Sequence, residues 1–210
     1  MINAIKIFDK NAHRYDSWYI KHWYAYQSEL IALRSILPKF NHGIEIGAGT
    51  GRFALPLGIH IGVEPAQAMA HIAQQRGLST INATAENLPF PPQSFDLALI
   101  VVSICFFSEP HSALKEVYRI LTPNGHLIIG VIPANSLVGN FYLTNKIPPF
   151  YTYARFFTVK DMMTMLNETG FIIKTMVQTL FDFPWMLSKE DPTLKGHTIG
   201  SFVAMHAIKI

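Results

Sequence analysis

Three glycines spaced two residues apart form the clearest candidate for a ligand-binding loop in this sequence. They are Gly47, Gly49 and Gly51, in the segment GIEIGAGTGRF at residues 43–53, and they follow a short apolar run. Because glycine has no Cβ atom, such a loop lets a ligand lie against the backbone. A helix is predicted to begin near Gly51, so that its free N–H groups face a carboxylate or a phosphate.

Two carboxylates near this loop extend the candidate site. Glu45 stands two residues before the first glycine, where it could attract an ammonium group. Glu64 ends the next predicted strand, where its two oxygens can accept hydrogen bonds from the vicinal hydroxyls of an unphosphorylated ribose. Together with the anion-binding loop, these residues suit the zwitterionic methionine end and the ribose of S-adenosylmethionine.

A nicotinamide-dependent oxidoreductase is the alternative interpretation of a glycine-rich loop. Its fingerprint requires a third glycine or an alanine at position 52, where this chain has Arg52. It would also leave unexplained the segment ATAENLPF at residues 83–90, in which Glu86 could accept a hydrogen bond from an adenine amino group. The pattern therefore favours S-adenosylmethionine over NAD.

Apolar runs alternate with helical patterns along the chain, which predicts an α/β fold with a doubly wound, mostly parallel sheet. Strands are predicted at residues 43–46, 60–64, 80–83, 95–102 and 126–132, with helices after Gly51, Pro65 and Pro110. Residues 171–180 and 198–208 are expected to close the sheet as an antiparallel pair. The expectation is a seven-stranded sheet with an antiparallel last strand.

The 210 residues are predicted to form a single domain. Residues 1–40 are expected to be a helical lid, with two helices within residues 11–37. Residues 133–158 are expected to be a partial cap, because this Pro-, Asn- and aromatic-rich stretch is longer than a usual connection. Its rings suggest a hydrophobic or aromatic small-molecule acceptor, although they could equally form a dimer contact, so monomer and homodimer stay open.

Composition and charge disfavour several other classes of protein. The net charge is +3 and the 17 Lys and Arg are scattered, which is not typical of a nucleic-acid-binding surface. The longest apolar run, residues 97–107, is about half of what a bilayer requires, so no membrane span is expected. A lone Cys105 indicates a reducing, cytoplasmic location. The nine histidines show no compact spacing for a metal site.

Five motifs in order carry a family resemblance: EIGAGTG, GVEPAQAMAHIA, ATAENLPF, SFDLALIVVSICFF and ALKEVYRILTPNGHLIIG. This series resembles that of class I S-adenosylmethionine-dependent methyltransferases, in particular the small type-11 group similar to enzymes of quinone biosynthesis. The resemblance covers residues 8–132. It implies S-adenosylmethionine as the cofactor and S-adenosylhomocysteine as the product.

The resemblance also implies roles for single residues. The glycine loop would line the methionine and ribose, Glu64 would hold the ribose, Ala85 and Glu86 would meet the adenine, and Tyr15 would approach the sulfonium from the lid. The full set of predicted cofactor-binding residues is Tyr15, Glu45, Gly47, Ala48, Gly49, Gly51, Glu64, Pro65, Met69, Ala85, Glu86, Val102, Ser103 and Phe107.

Methyl transfer is predicted to proceed by direct in-line displacement, in which the acceptor attacks the activated methyl carbon and S-adenosylhomocysteine leaves. Proximity and exclusion of water would be the main contribution of the protein. No general base is assigned, because several side chains qualify equally: His13, His22, His111, Tyr151 and Tyr153. A catalytically silent protein that binds S-adenosylmethionine or S-adenosylhomocysteine is the other alternative.

Overall fold

The structure of the protein is a computed structural model that describes residues 2–145 and 149–210. Residue 1 of the predicted lid and residues 146–148 of the predicted cap lie outside the described residues. Within these ranges the chain forms seven α-helices, which are α1 (Ile2–Lys10), α2 (Ala12–Lys21), α3 (Trp23–Ser35), α4 (Gln67–Gln75), α5 (Pro110–Ile120), α6 (Leu137–Asn145) and α7 (Val159–Glu168). Over the same residues it forms eight strands, which are β1 (Gly43–Ile46), β2 (Ile61–Val63), β3 (Ser79–Ile81), β4 (Phe95–Val101), β5 (Leu121–Val131), β6 (Phe171–Thr179), β7 (Leu194–Lys195) and β8 (Phe202–Lys209).

The strands form one sheet in the order β3-β2-β1-β4-β5-β8-β6-β7. β1 to β5 pair in parallel, as expected where strands alternate with helices, whereas β8 runs antiparallel to both β5 and β6. The predicted doubly wound α/β fold with an antiparallel last strand is therefore confirmed. The strand beyond the predicted seven is β7, a two-residue edge strand that is too short to leave a periodic signal.

Buried side chains cover both faces of this sheet. On one face the strands pack against α5 and α7, and on the other they pack against α3. Residues 97–101 of β4 point alternately to the two sides, which explains why this strand is an uninterrupted apolar run. No helix in the described ranges has the length and apolar content that crossing a bilayer requires.

Three helices precede the sheet where the sequence pattern predicts two. α1 lies before the region in which helices are expected, and the breaks between the three helices fall at Asn11 and His22. Neither position carries the glycine or proline that usually marks a helix boundary. The number of helices in the lid was therefore not readable from the sequence.

The helix predicted after Gly51 is wrong. The chain instead makes a series of turns and a single 3₁₀ turn at Leu55–Leu57. An α-helix here would need the N–H of residue 56 to donate to the carbonyl of Arg52, but that residue is Pro56 and has no N–H. The hydroxyl of Tyr26 donates to the Arg52 carbonyl instead, at 2.6 Å. The glycine loop thus rests against α3 and does not open a helix of its own.

Candidate active site

The predicted cofactor residues meet at the carboxyl ends of the parallel strands. The chain leaves β1 on one side towards β2 and β3 and returns on the other side at β4, and ligands bind at such a switch point in open α/β sheets. A cleft lies at this point. The predicted residues that line it are Tyr15, Gly47, Gly49, Glu64, Pro65, Met69, Ala85, Glu86, Val102, Ser103 and Phe107.

Gly47 and Gly49 have backbone angles that favour glycine, with φ of +72° and +54°. A Cβ atom on Gly47 would lie 2.7 Å from Cβ of Ser103, which is too close for any other residue. The amides of Gly47 and Ala48 both donate to the carbonyl of Val63, at 2.8 and 3.0 Å. These bonds fix the loop against β2 and keep open the space that side chains would fill.

Glu64 presents a carboxyl at the end of β2 and is only 7% exposed. Its Oε2 accepts a hydrogen bond from the N–H of Gly49 and its Oε1 accepts one from that of Ala66, each at 2.8 Å. Burial raises the pKa of Glu64 to about 7, against the opposing effect of the two hydrogen bonds. Each oxygen keeps a second acceptor position, which two ribose hydroxyls could use.

Glu86 lies at the other end of the cleft, in the turn after β3. Its Oε1 accepts from the N–H groups of Ser108 and Glu109, at 2.8 and 3.3 Å. No group among the described residues donates to Oε2, which is therefore available to a ligand. The walls around it are apolar and include Ala85 and Phe107. This end of the cleft can take a planar ring that carries an amino group.

Helix α1 covers the cleft and contributes residues that the sequence pattern did not single out, namely Ala4, Ile5 and Phe8. Phe8 makes edge contacts with Tyr15 and Phe106, with ring centroids 5.4 and 4.9 Å apart. Asp9 holds this helix in place, because its Oδ1 accepts from the N–H of Ala68 in the first turn of α4 at 2.8 Å. The apolar face of a helix of only nine residues is too short a pattern to identify these residues from the sequence.

Asp16 fastens α2 to the glycine loop. Its carboxylate accepts from the Thr50 hydroxyl at 2.7 Å and forms ion pairs with Arg52 and Arg76 at 2.7 and 2.6 Å. The Asp16 side chain is 13% exposed. Arg52 distinguishes this loop from a dinucleotide fingerprint. It is thus one of the residues through which the loop binds α2.

Three predicted residues lie outside the lining of the main cleft. Glu45 and Ala48 line a small recess that shares Tyr15, Gly47 and Gly49 with the cleft. Glu45 is 1% exposed, its Oε2 accepts from the N–H of Ala54 at 3.0 Å, and burial raises its pKa well above the usual value. One oxygen of this carboxyl is thus already engaged by the loop, and the predicted ammonium contact stays a prediction. Gly51 packs against Ala73 and Leu78, so its role here is close packing.

A second cavity of about 390 Å³ adjoins the cleft and is within the size range of small-molecule sites. Tyr15, Val102 and Phe106 line both spaces. The walls of the second cavity are mostly aromatic: Trp18, Tyr19, Tyr142, Phe150, Tyr151 and Trp185. Tyr142 and Tyr151, which belong to the predicted cap, stack with centroids 4.0 Å apart.

The backbone at the junction of the two spaces is strained. Val102 has a φ of +48°, a left-handed conformation that is rare for a β-branched residue. Such outliers cost of order 1–3 kcal/mol and persist where the surroundings impose them. The N–H of Val102 donates to the carbonyl of Gly130 at 2.8 Å, which holds the residue at the end of β4.

Of the five candidate general bases, the structure places two in the wall of the second cavity and three elsewhere. His22 and Tyr151 line the second cavity, whereas His13, His111 and Tyr153 do not. His111 lies on the surface and pairs with Glu168 at 2.9 Å. Across residues 2–145 and 149–210, no three His, Cys, Asp or Glu side chains are arranged to hold a metal ion.

Glu29 is the functional candidate that sequence reasoning missed. It lies in α3, is 3% exposed and lines the second cavity. The signal was its spacing, because Tyr26, Glu29 and Leu33 recur at three and four residues and therefore share one helix face with apolar neighbours. A carboxyl on the buried face of an amphipathic helix requires a partner or a purpose.

Known proteins are similar to this chain, some of them over nearly its whole length. A family model described as "Methyltransferase domain" matches residues 44–129. A crystal structure from Thermotoga maritima, described as an S-adenosylmethionine-dependent methyltransferase and possible histamine N-methyltransferase, is 45% identical with a TM-score of 0.95, over 99% of this chain and 100% of that one. An uncharacterised protein of Methanocaldococcus jannaschii is 39% identical over 207 residues, which are 98% of this chain and 100% of that protein.

A demethylmenaquinone methyltransferase of Chlamydia trachomatis is 34% identical over 126 residues, which are 55% of each chain. The fold is that of the class I S-adenosylmethionine-dependent methyltransferases, so the resemblance carried by the motifs is confirmed. The chain belongs to this class.

Proposed function

We propose that this protein transfers a methyl group from S-adenosylmethionine to a small organic molecule that occupies the second cavity. The observation that carries the proposal is the junction of the two spaces. Tyr15, Val102 and Phe106 line both the cleft and the cavity, so a donor in one and an acceptor in the other would meet there.

The residues of the cleft fit the cofactor. Gly47 and Gly49 leave the floor free of side chains, Glu64 has acceptor positions for two hydroxyls, and Glu86 has a free oxygen beside apolar walls. When bound, S-adenosylmethionine supplies a methyl group that is already activated by a sulfonium. The chain therefore has to align the acceptor and exclude water.

Aromatic residues can perform both tasks. Phe150 contacts Phe8 and Tyr15, with ring centroids 5.4 and 5.5 Å apart, so the region between α6 and α7 touches the lid directly above the junction. These rings keep the junction apolar. Their faces can also favour a positively charged sulfur at the cleft end.

The relatives indicate which acceptors to test first. The Thermotoga maritima protein is described as a possible histamine N-methyltransferase, and its 45% identity and full coverage favour a small amine. The Chlamydia trachomatis protein is a demethylmenaquinone methyltransferase, but the similarity covers 55% of it, so quinols rank second. Both acceptors are compatible with an aromatic cavity.

The first test is calorimetric titration with S-adenosylhomocysteine, with NAD as the control ligand. We expect one site of micromolar affinity for S-adenosylhomocysteine and none for NAD. The second test follows the release of S-adenosylhomocysteine from S-adenosylmethionine with histamine, other amines and quinols. Binding without turnover on any acceptor would favour a catalytically silent binding protein, and no binding would refute the proposal.

A further inference from the structure

Glu29 places a buried carboxyl in the wall of the second cavity. It is 3% exposed, and no group among the described residues donates a hydrogen bond to it. Burial alone raises the pKa of Glu29 from 4.5 to about 8. Because this carboxyl lies in a cavity wall and receives no donor from the described residues, its acceptor positions are free for a ligand that brings the donor.

Resting on the proposed function, we propose that Glu29 binds the methyl acceptor through a basic nitrogen, so that the substrates are small organic amines. The residues that line the cavity are sufficient to bind such an amine. An ammonium N–H would donate to the Glu29 carboxylate, while the rest of the molecule would lie among the aromatic walls.

The aromatic walls suit a cation as well as an apolar skeleton. Trp18, Tyr142 and Tyr151 line the same cavity as Glu29. The faces of such rings attract organic cations, and sets of rings with one carboxylate are a common arrangement for binding alkylammonium groups. A neutral acceptor could donate a hydrogen bond to the carboxylate but would form no ion pair, and an anionic acceptor would be repelled.

Glu29 can also prepare the nitrogen for reaction. An amine enters as an ammonium ion, whose nitrogen has no free lone pair. Transfer of one N–H proton to a carboxylate oxygen of Glu29 leaves a neutral amine with its lone pair beside a neutral carboxylic acid. Because burial brings the acidity of Glu29 closer to that of an ammonium ion, this transfer is less uphill than in water. The proton passes from Glu29 to water after the methyl group has been transferred.

The other ionisable groups that line the cavity do not replace Glu29. Burial raises the pKa of Tyr15, Tyr19, Tyr142 and Tyr151, so these hydroxyls stay neutral near pH 7. Burial, and then Lys21, lower the pKa of His22. Arg14 and Lys21 are exposed, so solvent screens their charge. Among the described residues, Glu29 is the one carboxyl that lines this cavity.

The test compares a nitrogen with a hydroxyl on the same carbon skeleton. 2-Phenylethylamine is paired with 2-phenylethanol, and n-butylamine with n-butanol, in titrations of protein saturated with S-adenosylhomocysteine. At pH 8 we expect at least one amine to bind tenfold or more tightly than its alcohol. Its affinity should rise about tenfold from pH 6 to pH 7, because only the ionised fraction of Glu29 is competent to bind.

Glu29→Gln is the decisive variant, because it keeps the shape of the side chain and removes the charge. We expect it to lose the preference for the amine and to flatten the pH profile, with unchanged affinity for S-adenosylhomocysteine. Glu190→Gln makes the same change at an exposed position and should retain the preference.

Two results would overturn the inference: amines that bind no better than their alcohols in the wild type, or a Glu29→Gln protein that keeps the preference. Failure of S-adenosylhomocysteine to bind would instead refute the proposed function. The two failures are therefore distinguishable.

Discussion

At the scale of single residues, carboxyls with different tasks differ in how many donors the protein supplies. Burial would raise the pKa of Asp16, but Arg52, Arg76 and Thr50 outweigh it and hold the pKa well below its usual value. Glu64 receives two backbone N–H groups and Glu29 receives none from the described residues, and burial raises the pKa of both. Asp16 is saturated by its own protein, whereas the other two have capacity for a ligand.

Glu64 should make cofactor binding depend on pH. Its pKa of about 7 in the ligand-free protein means that part of the carboxyl is protonated at neutral pH. Ribose hydroxyls donate to the ionised form, so the affinity for S-adenosylhomocysteine should rise by up to about tenfold between pH 6 and pH 8. Calorimetric titration across this range measures the effect.

Glu64→Gln tests the same assignment. It replaces the charged acceptor with an amide, whose NH₂ group would face one of the two backbone N–H groups. The affinity should fall roughly 10- to 100-fold, the range for a lost hydrogen bond to a charged group, and its pH dependence should disappear. A variant that kept the wild-type affinity and profile would show that Glu64 does not hold the ribose.

The sequence predicted the residues of the site whose signal is local. Gly47, Gly49 and Glu64 lie within one strand-loop-strand unit, so their spacing alone placed them at one edge of the sheet. Asp16 and Glu29 were missed because the residues that surround them are distant in sequence. Asp16 meets Arg76 across 60 positions, and Glu29 faces a cavity that forms only when the lid and the 149–153 region come together.

At the scale of elements, two kinds of contact hold α1 over the cleft. Phe8 packs against Tyr15 and Phe106, and the Asp9 carboxylate accepts a hydrogen bond from the first turn of α4. The N-cap position of α4 is Ala66, which has no side-chain acceptor of its own. Asp9 therefore serves as the cap that this helix lacks, and seats α1 over the cleft by the same bond.

Asp9→Ala should loosen α1 and weaken cofactor binding. The loss of a side-chain cap costs about 1 kcal/mol, which corresponds to a decrease in S-adenosylhomocysteine affinity of roughly fivefold if α1 must be seated for binding. Titration calorimetry measures the affinity, and hydrogen exchange of residues 4–10 measures the seating. Lys10→Ala, at an exposed position of the same helix, is the control. Equal affinities for the two variants would mean that the Asp9 cap is not needed to hold α1 over the site.

The same contrast between local and distant partners explains which elements the sequence predicted. α7 carries its own boundary signals, a capping box of Thr158 and Asp161 at the start and Gly170 at the end. The segment after Gly51 has a helical pattern, but Pro56 removes a donor and Tyr26 of α3 takes its place. The ends of α7 are therefore determined by residues at or next to that helix. The structure after Gly51 depends on Tyr26, which is 26 positions from Arg52.

At the scale of the whole molecule, folding buries carboxyls around the cleft and the second cavity that are solvated in the unfolded chain. Glu29, Glu45 and Glu64 all have a raised pKa, chiefly because of burial. Such groups bind protons more tightly in the folded state than in the unfolded state, so each opposes folding as the pH rises. His22, His126 and His206, whose pKa burial lowers, act in the opposite direction as the pH falls below about 6.5.

Glu29→Gln should therefore stabilise the ligand-free protein at alkaline pH while it impairs amine binding. The stability from the raised pKa of Glu29 is fully present below the unfolded value and is lost as the pH rises through about 8. Between pH 6 and pH 8 the wild type should lose about 2 kcal/mol relative to the variant, or roughly 4–8 °C in Tm. Thermal unfolding at both pH values measures this difference, in which the contributions of the other groups cancel. The control Glu190→Gln should show the same loss of stability as the wild type. If Glu29→Gln also showed that loss, solvent or another donor would already satisfy Glu29 in the ligand-free protein. There would then be no reason for an amine to bind at Glu29.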